Sequence, residues 1–395
     1  MQHNVVPLHQ EATQFVLRGR IMRNPKIILF CCMSGICAGN LKIDDIQSGR
    51  PTVETSHYGD RFKLIIPFAG QSITWEIVFN SFVPHFPPDF CFDDDTFLSD
   101  PEMGVIEEGV PSLANWDHQD SKSLLHVICE LLTLYRKHQV SLLNDFSRLQ
   151  FEYSSLVCQT AVREEDVEVL IGSRSGGVKS RLLGGAVNFL IRLNIDFSDL
   201  PPIQTGEDSG ESAAVLLVTF HPPEGSRITP QLYLSPRVEK ALGGSASFHL
   251  PPFPSGSCLM DYVPVVAEQM RERVSAMSAT YERKKEYLAA FCYRMGKAML
   301  EFDAVTFSRA SFLLECRDFY FLLHVSLPMH FPRDRPTFVL QSIYHSSYGK
   351  PYKTRCEDYP YSPRWDPAEM VERACAFITS YVEVFQRNSI HNCPI

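Results

Sequence analysis

The chain has 395 residues, 45% of them hydrophobic and 21% charged, with a formal net charge of −9. That length provides for two or three domains, each able to bury a core. The acid excess argues against a nucleic-acid binder, whose contact face is basic, and no apolar run reaches the roughly 18 residues of a membrane span, so no direct nucleic-acid or membrane partner is expected.

The first predicted element is a short leading helix over Leu8 to Leu17, and "PKIILFCCMSGIC" (Pro25 to Cys37) reads as a strand. "RFKLIIPFAG" and "SITWEIVFN" are stronger strands, joined by a tight turn at Gly70-Gln71. In the second, Ile73, Trp75, Ile77 and Phe79 alternate with polar or smaller neighbours, the period of a half-buried sheet. A proline-rich break, "VPHFPP" (Val83 to Pro88), interrupts the run before "DFCF" resumes it. From Ser121 to His138, Leu124, Leu125, Ile128, Leu131, Leu132 and Tyr135 share one helical face, with Ser121 and Ser123 as N-cap candidates. Helix continues through "LLNDFSRLQFEY".

The middle of the chain predicts strands over "AVNFLIRLNIDF", "AAVLLVTFH" and "PQLYLS", then a helix over Leu259 to Met277 that starts near Pro264. "LPPIQTGEDSGES" between them is a polar loop. The last third repeats the first: a helix over Tyr281 to Met299, strands "SFLLEC" and "FYFLLHVSL", a second proline break "FPRDRP" (Phe331 to Pro336), and a strand "TFVLQSIYH". A helix after Pro367 closes the chain, with Met370, Val371, Ala374, Phe377 and Ile378 on its apolar side. The fold class is therefore α+β, antiparallel meander sheets packed with helices. Three modules are expected: an N-terminal one over 1–150, a degenerate middle one over 151–280, and a C-terminal one over 281–395.

The two breaks ask to be explained together. Proline fixes φ near −65° and donates no backbone hydrogen bond, so it ends a ladder edge and redirects the chain. Strand, Tyr-Pro-x-x-Pro-Pro, strand, with a leading helix and trailing helices, is the layout of the ubiquitin-conjugating enzyme fold. The two elbows resemble it, with Val83 or Phe331 in the Tyr position and Arg335 replacing one proline. One such elbow alone equally describes any edge strand ending in prolines; two in matching context favour tandem ubiquitin-conjugating-enzyme-variant (UEV) modules.

A fuller resemblance follows from "DRFKLIIPFAG", "PPDFCF", "LYLSPRVEKALGG", "CLMDYVP", "HFPRDRPTF" and "YPYSPRWD", which occur in this order. They are similar to the brain and reproductive organ-expressed protein (BRE) family, across nearly the whole chain and most closely from Gln231 to Asp366. The resemblance implies a non-catalytic scaffold of UEV modules, without cofactor or metal, in the cytoplasmic BRISC deubiquitinase complex and a related nuclear DNA-damage complex. It implies as partners an Abraxas-like subunit, a JAMM-type metalloprotease that cleaves lysine-sixty-three-linked polyubiquitin, a von Willebrand A-like adaptor, and polyubiquitin itself. Cytoplasmic and nuclear localisation follows from the same resemblance. The cysteines agree: twelve are scattered with no CxxC pair, which reads as reduced thiols rather than disulfides. The N-terminus also lacks the charged-then-apolar order of a secretory signal.

A conjugating enzyme needs a cysteine roughly twenty residues past the elbow and an Asn to stabilise the oxyanion. The first module has Glu108 at that distance, while Cys91 comes too early and Cys129 falls in the helical pattern. In the third module Cys356 stands at the right distance, and "IYHSS" (Ile343 to Ser347) sits where such enzymes carry Ile-Tyr-His-Pro-Asn. His345 is kept, but Ser347 replaces the Asn, a loss commonly worth roughly 3–4 kcal/mol of barrier. A loop cysteine left in a variant fold is therefore expected at Cys356, and a conjugating enzyme using it is the alternative. A stand-alone ubiquitin-binding receptor is a further alternative.

No other motif carries chemistry. The thirteen histidines form no His-x-His and no HExxH, so the peptidase metal that the resemblance implies would belong to another subunit. The Gly-rich stretch from Ala241 to Ser257 lacks the Walker lysine, and the basic residues of "RERVSAMSATYERKKEY" alternate with glutamates, as on a solvated helix face. The most unusual stretch is "YPYSPRWD": Tyr359, Tyr361, Arg364 and Trp365 are of the types enriched at interface hot spots, and are the candidate partner-binding residues. Packing of this segment onto the last helix is the equal alternative.

Overall fold

The computed structural model describes residues 41–47, 60–80, 82–83, 85–120, 122–172, 185–202, 212–222, 227–244 and 248–391. The expected helix at Leu8 to Leu17 and strand at Pro25 to Cys37 lie outside them. The protein is α+β, with three antiparallel sheets among the described residues and the principal helices packed on them.

The first sheet is a meander of β1 (Lys42–Gln47), β2 (Arg61–Phe68), β3 (Gln71–Val78) and β4 (Asp89–Phe92). Alternation places Phe62, Leu64, Ile66 and Phe68 of β2 and Ile73, Trp75 and Ile77 of β3 inside. They pack on α1 (Ser123–Leu142) through Leu124, Val127, Ile128, Leu131, Leu132 and Tyr135. Leu125, expected on that face, is only half-buried. Ser123 opens the helix rather than capping it, and its hydroxyl donates to the Asp117 carbonyl at 2.7 Å. A 3-10 turn then leads into α2 (Ser147–Gln159).

The second sheet is β5 (Val167–Ile171), β6 (Val187–Arg192), β7 (Ala214–His221) and β8 (Arg227–Leu234). β6 and β7 are buried almost end to end, because both faces of the sheet are covered. Leu190, Val215 and Leu217 join the core of the first sheet. The tip of the β2–β3 hairpin meets this sheet directly. The turn is Ala69-Gly70, with φ of 46° and 77°, one residue earlier than expected; Gln71 already pairs with Phe68. A Cβ on Gly70 would meet the Leu217 side chain at 2.9 Å, so glycine suits both the left-handed backbone and the close approach. Ala69 N–H donates to Glu168 Oε2 at 3.0 Å, and the Ala69 carbonyl accepts from Asn188 Nδ2 at 3.1 Å.

α3 (Leu259–Met295) is one helix of 37 residues where two were expected. Pro264 lies inside it rather than at its start, and the expected boundary at 280/281 falls within it. Its Leu259 N–H is met by the Glu152 carboxylate of α2 at 2.7 Å, an acid at a helix N-terminus.

The third sheet has the order β13-β12-β11-β10-β9, formed by β9 (Met299–Phe302), β10 (Arg309–Cys316), β11 (Phe319–Ser326), β12 (Thr337–Ser347) and β13 (Lys350–Cys356). α4 (Pro367–His391) covers it with Met370, Val371, Ala374, Cys375, Ile378, Val382 and Phe385. Each proline elbow joins the third strand of its meander to the fourth: β3 to β4 and β11 to β12. The chain divides into two compact units. The first is 1–195, 210–235 and 250–268; the second is 196–209, 236–249 and 269–395.

Candidate partner-binding site

The segment from Tyr359 to Asp366 runs beside the second elbow. Phe331 of that elbow is buried and packs against Tyr287 with ring centroids 5.1 Å apart. The Tyr359 hydroxyl donates to the Pro336 carbonyl and the Tyr361 hydroxyl to the Pro332 carbonyl, so two tyrosines hold both ends of the proline run. The Tyr359 ring is buried edge-on to Phe338 at 4.7 Å. Burial raises both phenols, Tyr361 to about 12. Trp365 is half-buried beneath the Arg373 guanidinium, 4.1 Å from its ring, and its carbonyl accepts from Arg283 Nη2 at 2.9 Å. Arg364 is exposed.

The four candidate residues are thus adjacent but differently placed. Tyr359 is core, Tyr361 and Trp365 each keep one partly open side, and Arg364 faces solvent. Sequence inspection did not single out Arg283 and Arg373 as the braces of Trp365. The one available signal was Arg373 following Glu369 at i,i+4, and that pair does form at 2.8 Å.

Cys356 is not a loop residue. It ends β13 opposite Phe338, is 3% exposed, and burial pushes its thiol up to about 12. A nucleophilic cysteine needs the reverse, an accessible site with a lowered pKa. His345 lies seven residues along β12 from Phe338, roughly 23 Å at strand rise, where its Nδ1 meets Ser389 Oγ of α4 at 3.0 Å. Ser346 and Ser347 pair with Pro351 and Lys350, so a ladder stands where a loop over the cysteine would be needed. Iodoacetamide at pH 8 should therefore modify Cys356 at least about a hundredfold more slowly than the exposed Cys91 and Cys158. Peptide mass mapping over time reads this, and equal rates would contradict the buried thiol.

The first elbow is differently finished. Phe82 and Phe86 are 76% and 55% exposed, with the His85 ring 4.8 Å from that of Phe86. Among the described residues no group of three His, Cys, Asp or Glu side chains is placed to hold a metal ion, and no helix is long and apolar enough to cross a membrane.

Comparison with known proteins follows the same lines. The family model described as "Brain and reproductive organ-expressed protein (BRE)" matches residues 22–346. A protein of Branchiostoma floridae named "BRISC and BRCA1-A complex member 2" is 46% identical over 360 residues, covering 90% of this chain and 91% of that protein. A Danio rerio protein of the same name is 41% identical over 357 residues, covering 89% and 90%.

Proposed function

Because the chain belongs to the brain and reproductive organ-expressed protein (BRE) family, we propose that it is a non-catalytic scaffold subunit of BRISC- and BRCA1-A-type complexes. The observation that carries this reading is the similarity, over about nine-tenths of both chains, to two relatives named as members of those complexes. The complex would cleave lysine-sixty-three-linked polyubiquitin through a separate JAMM metalloprotease paired with an Abraxas-like subunit. This chain would bridge them to a von Willebrand A-like adaptor, in cytoplasm and nucleus.

Three UEV-like modules would supply the bridging surfaces, with the divisions 1–150, 151–280 and 281–395. Their support is the repeated plan of meander, elbow before the fourth strand, and covering helix at the two ends of the chain. The burial of Cys356 and its distance from His345 speak for the scaffold against the conjugating enzyme. Arg364, with the open sides of Tyr361 and Trp365, is the part of the candidate segment that a partner would touch.

The test is reconstitution. Tagged full-length chain, expressed with the other subunits, should elute from size exclusion as one assembly with them. Arg364→Ala should lower adaptor recovery while leaving the chain's own folding unchanged. Recovery of the tagged chain alone would defeat the scaffold; full adaptor recovery with Arg364→Ala would remove this segment from the interface.

A further inference from the structure

The second unit holds a cleft of about 1030 Å³ that the proposed function does not use. Three cations line it: Lys240 from the short helix Pro236–Ala241, Lys284 from α3, and Arg309 at the start of β10. Among the described residues none of the three forms an ion pair, although the chain as a whole is acidic. The two acids of the lining, Asp303 and Glu301, carry hydrogen bonds of their own and lie in no ion pair with these cations. Asp303 accepts from the N–H groups of Val305 and Thr306, each at 3.0 Å, and from the hydroxyls of Thr306 and Ser308. Glu301 accepts from Ser311 Oγ at 3.1 Å. Lys284 is half-buried, and desolvation lowers its pKa against the pull of Asp303. A half-buried ammonium with no carboxylate at ion-pair distance gains from an incoming one.

One wall of the cleft is a free strand edge. β9 ends the third sheet, with β10 on one side and no strand on the other among the described residues. Asp303 N–H bonds to the Arg309 carbonyl at 2.9 Å, so in antiparallel alternation Phe302 turns its own N–H and C=O away from β10. Phe302 is 47% exposed, and Met277, Tyr281 and Leu327 give the lining an apolar component.

We propose that this cleft docks an extended acidic peptide segment of a partner protein, which adds as a strand to the free edge of β9 at Phe302 and sets its carboxylates against Lys240, Lys284 and Arg309. Main-chain bonds supply affinity and the cations supply selection. A small anion would use the cations but not the strand edge, which is why the observations favour a peptide. The inference goes beyond the proposed function and stands or falls apart from it.

The experiment uses the purified full chain against a displayed library of random decapeptides at low salt. Enriched sequences should carry Asp or Glu at alternating positions. Binding of a synthetic enriched peptide should fall more than tenfold with Arg309→Glu, with Lys284→Glu, and with Phe302→Pro, which removes the outward N–H. Arg309 is exposed, so its variant remains informative if Lys284→Glu impairs folding. Enrichment without acidic bias, or binding indifferent to Arg309→Glu, would overturn the proposal. So would a peptide that millimolar inorganic phosphate displaces completely while Phe302→Pro has no effect, since that describes a small-anion site.

Discussion

Replacing Glu168 by alanine is expected to destabilise the first unit by about 3–5 kcal/mol, the range for removing one partner of a buried ion pair. Glu168 lies on β5, is 0% exposed, and serves two donors at once: Arg136 Nη2 of α1 at 3.3 Å and the Ala69 N–H at the tip of the β2–β3 turn at 3.0 Å. Truncation strips the acceptor from the fully buried Ala69 N–H and the countercharge from the part-buried Arg136, and the cost of both falls on the folded state. Glu168→Gln keeps an acceptor for Ala69 but discards the charge opposite Arg136, so it should cost clearly less than alanine. Urea unfolding followed by circular dichroism measures the loss, and amide exchange at Ala69 localises it. A change within about 0.5 kcal/mol, the usual range for surface substitutions, would contradict the role given to this carboxylate.

Tyr359→Ala is expected to cost the second unit about 3–4 kcal/mol, as for other large aromatic truncations. Its ring fills the core beside Phe338, and its hydroxyl ties Pro336 of the elbow. Tyr359→Phe removes only the hydroxyl and should cost about 1–2 kcal/mol through the unpaired Pro336 carbonyl. Arg364→Ala, five residues away and exposed, should stay within about 0.5 kcal/mol. Thermal unfolding of the three variants separates them. The contrast matters because all four aromatic and basic residues of this segment look alike as interface candidates, and the fold divides them into a buried anchor and an outer edge. Equal destabilisation by Tyr359→Ala and Arg364→Ala would undo that division.

Much of the architecture was legible where a segment has one wet face. Phe62 to Phe68 and Ile73 to Ile77 alternate in sequence because they alternate in the sheet, and Leu124 to Tyr135 recur at helical spacing because α1 is covered on one side only. The middle sheet gave a weaker signal for the opposite reason. β6 and β7 are dry on both faces, so their residues form apolar runs without period. β5 went unrecognised: a charged residue at Glu168 reads as surface in sequence, although Arg136 and Ala69 satisfy it inside. Pro222 follows β7 at the junction to β8, where the other two meanders place their elbows. No Phe-Pro repeat drew attention to it.

α3 looked like two helices because "SAMSAT" is mostly small and polar, yet Val274 before it, Met277 within it and Tyr287, Leu288 and Phe291 after it are buried along one continuous rod. The site was less legible than the fold. Spacing put Cys356 where a nucleophile would stand, but "KPYKTRC" carries the charges and proline of an edge strand, and its pairing with β12 is what buries the thiol. The bonds from Tyr359 and Tyr361 to the elbow carbonyls span 23 and 29 residues, and no local pattern encodes them.

The most direct measurement is a pull-down of the tagged chain from native lysate, assayed for cleavage of linkage-defined polyubiquitin with and without a zinc chelator. Cleavage of the lysine-sixty-three linkage is expected in the pull-down, lost on chelation and absent from the purified chain alone. Absence of co-purifying cleavage, or cleavage by the purified chain itself, would contradict the assignment as a non-catalytic scaffold for a separate metalloprotease.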